Sequence, residues 1–125
     1  MDMEQACLDT DFLIELIKGN QKAVSKINEL SCNFCISVIS VYEYGRGKLS
    51  LEQVIEDIKD FDFINIDHKI IIKSIEIYKY LIKKGELIDD NDILIGACCI
   101  INNIPILTLN KKHFERLKKF GLKLV

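Results

Sequence analysis

Ala6-Cys7-Leu8-Asp9-Thr10-Asp11-Phe12-Leu13-Ile14-Glu15-Leu16-Ile17-Lys18-Gly19 carries two hydrophobic patterns joined by acids. A short apolar run ends at Asp9; Phe12, Leu13, Leu16 and Ile17 then recur at helical spacing until a glycine stops them. The stretch reads as strand, polar turn and helix, and the alternation continues outward from it. A second helix is expected over Gln21 to Leu30, a strand over Asn33 to Ile36 and a helix from about Ser40 to Gly45, where Gly45 and Gly47 break the pattern. Leu51, Val54, Ile55, Ile58 and Phe61 keep helical spacing, Phe63 to Ile66 reads as a short strand, and His68 to Lys84 as a long helix closed by Gly85. Ile93 to Ile101 is apolar on nearly every side, as a helix buried all round must be. Pro105 to Leu109 follows as a strand, His113 to Phe120 as a last helix, and Leu122 to Val125 as an edge run. Strands alternating with helices predict an α/β fold with a central, largely parallel sheet flanked by helices.

The composition narrows the class. The 125 residues are 49% hydrophobic and 29% charged, which suits one folded domain and excludes disorder and fibrous repeats. A single Pro and six Gly are too few for a loop-rich sandwich. Acids near the start, Asp2 and Glu4, predict no export signal, and the apolar stretch at Ile93 is about half of the roughly 20 residues a membrane span needs. Five cysteines, with Cys98 and Cys99 adjacent, do not form an extracellular disulfide framework, so a cytoplasmic protein is expected. Net charge is −2, yet the segment from Asn110 to Val125 is about +5 and the remainder about −7. Lys111, Lys112, Arg116 and Lys119 of that basic tail are expected to guide a phosphate backbone, and Arg46 and Lys48 to reach substrate phosphates.

Ligands of open parallel sheets bind beyond the carboxyl ends of the strands, so the polar residues there are the candidates. They are Asp9 and Asp11, Glu43, Asp89, Asp90 and Asp92, and Thr108, Asn110 and His113. Each acid has a purely structural explanation. Asp9 fits a helix N-cap, Ser40 and Glu43 fit a capping box, and Asp89 to Asp92 fit a cap that complements a helix dipole. Together they are harder to explain, because clustered carboxylates repel unless a cation offsets them; Mg²⁺ or Mn²⁺, hard and oxygen-seeking, is the natural one. Cys32 and Cys35 have Cys-x-x-Cys spacing but lack a second soft pair, which favours a structural role. Cys98 and Cys99 read as core, His68 as surface or cap, and the four tyrosines as packing or interface residues.

Four segments in order resemble the motifs of PIN-domain nucleases: Leu8 to Ile14, Ser40 to Gly45, Asp92 to Ala97, and Thr108 to Phe114. The resemblance covers nearly the whole chain, and its size is similar to that of VapC-like toxins of type II toxin–antitoxin pairs. It implies a single three-layer PIN-like domain over residues 1–125, and Mg²⁺ or Mn²⁺ held by Asp9, Glu43 and Asp92. It further implies hydrolysis of RNA, a homodimer, and a small antitoxin partner. Thr108 and Asn110 are placed to orient a water or a ligand. The last motif carries Asn110 and His113 where many members have a fourth acid. Two other readings compete: a non-catalytic PIN-like module that binds RNA or protein, and a receiver-type phosphoacceptor domain with Asp67 as its acceptor.

Overall fold

The computed structural model describes residues 4–48 and 50–125. Met1 to Met3, on which the reading of the N-terminal acids partly rests, lie outside them. The chain runs β1 (Gln5–Leu8), α1 (Thr10–Ile17), α2 (Gln21–Glu29), β2 (Asn33–Ser37), α3 (Val38–Arg46), α4 (Leu51–Ile58), β3 (Asp62–Ile64), α5 (His68–Lys84), α6 (Asp90–Asn102), β4 (Ile106–Leu107) and α7 (Lys111–Glu115), with a 3₁₀ turn at Lys118–Phe120. All strand pairs are parallel, in the order β3-β2-β1-β4. Leu8 lies opposite both Ile36 of β2 and Leu107 of β4.

Alternation along the strands divides the core in two. Cys7, Cys35 and Ile106 pack with α5, α6 and Phe114 on one face. Leu8, Ile36 and Leu107 pack with α1, Ala23 of α2, Tyr44 of α3 and Val54 and Ile58 of α4 on the other. This is the expected three-layer arrangement, both faces of a parallel sheet being covered because each is apolar. Cys98 and Cys99 are buried core residues, as read. Cys35 is buried in β2 and its Sγ donates to the Ala6 carbonyl, while Cys32 stands half-exposed before the strand; both thiols are free and shifted upward by hydrogen bonding or burial. That arrangement suits packing.

Several boundaries differ from the sequence reading. Helix α3 begins at Val38, because Ser37 at the end of β2 accepts the Ser40 N–H at 3.2 Å and is the N-cap. Ser40 is thus inside the helix, the capping box with Glu43 does not form, and the helix runs through Gly45. Strand β3 lies slightly earlier than expected, and Asp67 caps α5 by accepting the Ile70 N–H at 3.0 Å. The expected last helix is two short pieces separated near Arg116, and the C-terminal run makes only a bridge from Leu124 to Ile106. Among the described residues no helix is long and apolar enough to cross a membrane.

Candidate active site

The chain lays β2 and β3 on one side of β1 and returns to place β4 on the other. The carboxyl ends of β1 and β4 therefore flank the switch point, the place where open parallel sheets bind ligands in a crevice. Asp9 follows β1 and Thr108 follows β4. Thr108 Oγ1 donates to Asp9 Oδ2 at 2.5 Å and accepts the Asn110 N–H at 2.9 Å. Asp9 Oδ1 accepts the Phe12 N–H at 2.9 Å, so the capping role expected of Asp9 is real and coexists with its place at the crevice.

Glu43 comes from α3 and is oriented at both oxygens. Thr10 donates to Oε1 at 2.6 Å and lies 3.0 Å from Ser40 Oγ, while Asn91 Nδ2 donates to Oε2 at 2.8 Å. Arg46 reaches only 4.0 Å from the same Oε2 and is exposed. Asp92 is in the first turn of α6, whose N-cap is Asp89. The structure thus brings Asp9, Glu43 and Asp92 to one end of the sheet. Thr10, Asn91 and Ser40, which order Glu43, were not singled out as orienting groups by the sequence. Thr10 had a usable signal, standing directly between two candidate acids.

The electrostatics show how closely the acids approach. Asp9 is only 2% exposed, and burial pushes its carboxyl up to about 6, with Asp11 and Glu43 adding repulsion against the lowering effect of Thr108 and the Phe12 amide. Burial also pushes Asp92 up to about 7, reinforced by Asp9, Asp89, Asp11 and Glu43. Asp11 is exposed, yet its charge acts on both. It supplies acidic field at a site whose last motif lacks an acid. Among the described residues no Lys, Arg or His forms an ion pair with Asp9 or Asp92. The exposed Arg46, paired with Glu43 at 4.0 Å, is the protein cation that faces this set of acids among the described ion pairs.

Asn110 enters through its backbone. Its N–H holds Thr108, whereas its side-chain Nδ2 is 2.7 Å from His113 Nδ1. The basic tail does not stay together. Lys111 remains beside Thr108, but Arg116 donates to the Glu86 carbonyl and the Lys119 amine meets the Tyr80 hydroxyl on the α5 side. Arg116 and Lys119 each have an exposed local partner on the side of α5, away from Lys111.

The PIN domain family model matches residues 6–120. The chain is a PIN-domain protein. Relatives of this PIN domain include ribonuclease VapC1 of Methanocaldococcus jannaschii, 43% identical over 120 residues that span 94% of this chain and 84% of the relative. Ribonuclease VapC2 of Haemophilus influenzae is 31% identical over 88% of this chain and 89% of its own. The solved VapBC2 complex of Rickettsia felis, bound to a promoter DNA fragment, contains a chain that superposes with a TM-score of 0.82 at 24% identity, covering 97% of each. VapBC-1 of nontypeable Haemophilus influenzae gives 0.80 at 23% identity, covering 97% and 96%. These likenesses establish the fold. The receiver-type alternative falls with the family assignment, and Asp67, its required acceptor, is engaged as a helix cap.

Proposed function

We propose that this PIN-domain protein is a ribonuclease of the VapC kind and the toxin of a toxin–antitoxin pair, acting in the cytoplasm. The observation that carries the reading is the approach of Asp9, Glu43 and Asp92 at one end of the sheet, where among the described residues neither Asp9 nor Asp92 has an ion-pair partner and Glu43 has the exposed Arg46 at 4.0 Å. Similarity to a VapC ribonuclease over most of both chains supports RNA as the substrate. Structural neighbours solved as VapBC complexes support a small antitoxin as partner.

The donor set fits a divalent cation. Among the described residues no three acid, imidazole or thiol groups stand close enough together to hold a metal ion by themselves, so water would have to complete the coordination. An open set of carboxylates suits Mg²⁺ or Mn²⁺, which are bound by few protein oxygens and retain waters. Asp9, Glu43 and Asp92 would hold the ion; bound there, it would activate a water and stabilise charge on the scissile phosphate. Thr108 keeps Asp9 ionised and aimed by donating to Oδ2. Thr10 and Asn91 hold both Glu43 oxygens as acceptors, so that the carboxylate does not rotate away. Asn110 fixes the Thr108 hydroxyl through its amide.

Replacing Asp9, Glu43 or Asp92 by its amide is expected to lower RNA cleavage by orders of magnitude at saturating Mg²⁺ or Mn²⁺, with the circular dichroism spectrum retained. Near-native rates in two of the three variants would refute the assignment. RNA binding without cleavage by the native protein in either metal would favour the non-catalytic module.

A further inference from the structure

A cleft of about 300 Å³ has Thr108, the hydrogen-bond partner of Asp9, in its wall. Phe12 and Leu107 line it and are almost wholly buried, so they form its bottom; Leu109 lines it and is 46% exposed, so it stands at the mouth. Its charged lining is entirely basic. Lys22 and Lys26 come from successive turns of one face of α2, and Lys111 from the start of α7. Lys26 has only a loose exposed pairing with Glu29 at 3.8 Å, and among the described residues neither Lys22 nor Lys111 makes an ion pair. Three lysines from two distant segments therefore line one largely apolar slot, whose wall includes the Thr108 that holds Asp9.

This juxtaposition has a specific chemical complement. A polyanion whose reacting phosphate sits at the acids needs its neighbouring phosphates neutralised by amines. An apolar slot at the small end of ligand-pocket volumes takes one unstacked base and excludes a duplex. We propose that the cleft is the subsite for an unpaired nucleotide flanking the scissile phosphate. Its base lies against Phe12, Leu107 and Leu109, and its phosphates lie against Lys22, Lys26 and Lys111. The subsite rests on the ribonuclease reading of the adjoining acids. It assigns RNA contact to α2, while Arg116 and Lys119 of the basic tail have other partners.

The test is direct binding, read separately from cleavage. The probe is a fluorescein-labelled, fully 2′-O-methylated oligoribonucleotide of about ten nucleotides, titrated by fluorescence anisotropy against the full chain. The Lys22→Ala/Lys26→Ala/Lys111→Ala protein should bind about tenfold or more weakly. The slope of log affinity on log salt should shrink by about 2, since each single-strand phosphate contact contributes roughly 0.7. Leu109→Ser should weaken binding about threefold without changing the slope. A control with the same charge change on α5, Lys69→Ala/Lys79→Ala/Lys83→Ala, should bind as the native protein does. Native affinity in the cleft triple variant overturns the subsite and leaves the lysines to an acidic protein partner. An equal loss in the α5 control overturns it too, because bulk charge then accounts for binding; an unchanged Leu109→Ser protein overturns the base slot. Cleavage of the unmodified oligonucleotide by native protein with Mg²⁺ is a separate arm. Its failure, with cleft-dependent binding intact, refutes the nuclease reading while the nucleotide site stands.

Discussion

Thr108 is the residue through which the two halves of the crevice communicate. Its hydroxyl donates a hydrogen bond to Asp9 and accepts one from the Asn110 N–H, so its removal disturbs both ends. In Thr108→Val the Asp9 carboxyl loses a lowering influence and moves further up from about 6. Manganese affinity, measured by isothermal titration calorimetry at pH 7, is expected to fall about tenfold, the usual cost of deleting a partner behind a metal-binding group. Thr108→Ser should restore it, since the hydroxyl alone carries the effect. At this scale the acids were legible, because Asp9, Glu43 and Asp92 each adjoin an apolar segment. Their orienting partners were not. Asn91 looks like one more polar residue in the acidic run before α6, and only the fold brings its amide to Glu43, 48 positions away.

Helix α6 is the element on which the packing of one sheet face depends, and Gly96 sets how closely the C-terminal segment approaches it. A β-carbon on Gly96 would collide with the Cδ2 end of the Leu117 side chain, and because Leu117 is fully buried that side chain would have to shift within the packed core. Alanine would gain up to about 1 kcal/mol of helix propensity at this position. Overpacking of about 1–3 kcal/mol opposes it, so Gly96→Ala should lower the Tm. Gly96→Ala/Leu117→Ala should be more stable than the sum of its single effects predicts, as calorimetry of all three variants would show. The helix itself was legible from its continuous apolar run, whereas its close contact was not, since a glycine in an apolar run gives no sign of what presses against it. Helix starts were legible only where one residue fitted the cap. Ser37 and Ser40 both fit, and the choice was decided by where β2 ends. The basic tail shows a related limit: six cations in sequence look like one surface, but the chain breaks near Arg116, and Arg116 and Lys119 find partners at Glu86 and Tyr80.

Across the whole molecule, charge and apolar surface are both left open, and each has a measurable consequence. Ile71, Ile75, Tyr78 and Ile82 form an exposed stripe along α5, with Ile71, Ile75 and Tyr78 bordering a cavity of about 470 Å³ against Ile93 and Leu94 of α6. If this face closes a homodimer, Ile75→Asp should sediment as a monomer under conditions where the native chain is dimeric; an unchanged dimer would move the interface elsewhere. The acids of the crevice govern stability. Asp9 at about 6 and Asp92 at about 7 lie above the ordinary value of 3.8, so the folded state retains protons that the unfolded chain has released. Their contribution is complete below about pH 4 and is lost as pH rises through 6 and 7. In chelator the protein should therefore lose stability between pH 5 and pH 7.5, by an amount on the order of a few kcal/mol. Each tenfold change in proton affinity is worth about 1.4 kcal/mol at the buried Asp9 and less at the half-buried Asp92, which solvent screens. A divalent cation needs the ionised carboxylates and competes with those protons, so its stabilisation grows over the same interval. Thermal melts at pH 5 and pH 7.5 should show a Tm that falls with pH in chelator and is restored by Mg²⁺ or Mn²⁺ mainly at the higher pH. Asp92→Asn should flatten the chelator curve and reduce the metal response together, because one carboxylate carries part of both. A chelator Tm that stays flat or rises over this interval would mean that Asp9 and Asp92 are not raised in the folded state, and the electrostatic basis for cation binding at the crevice would be lost.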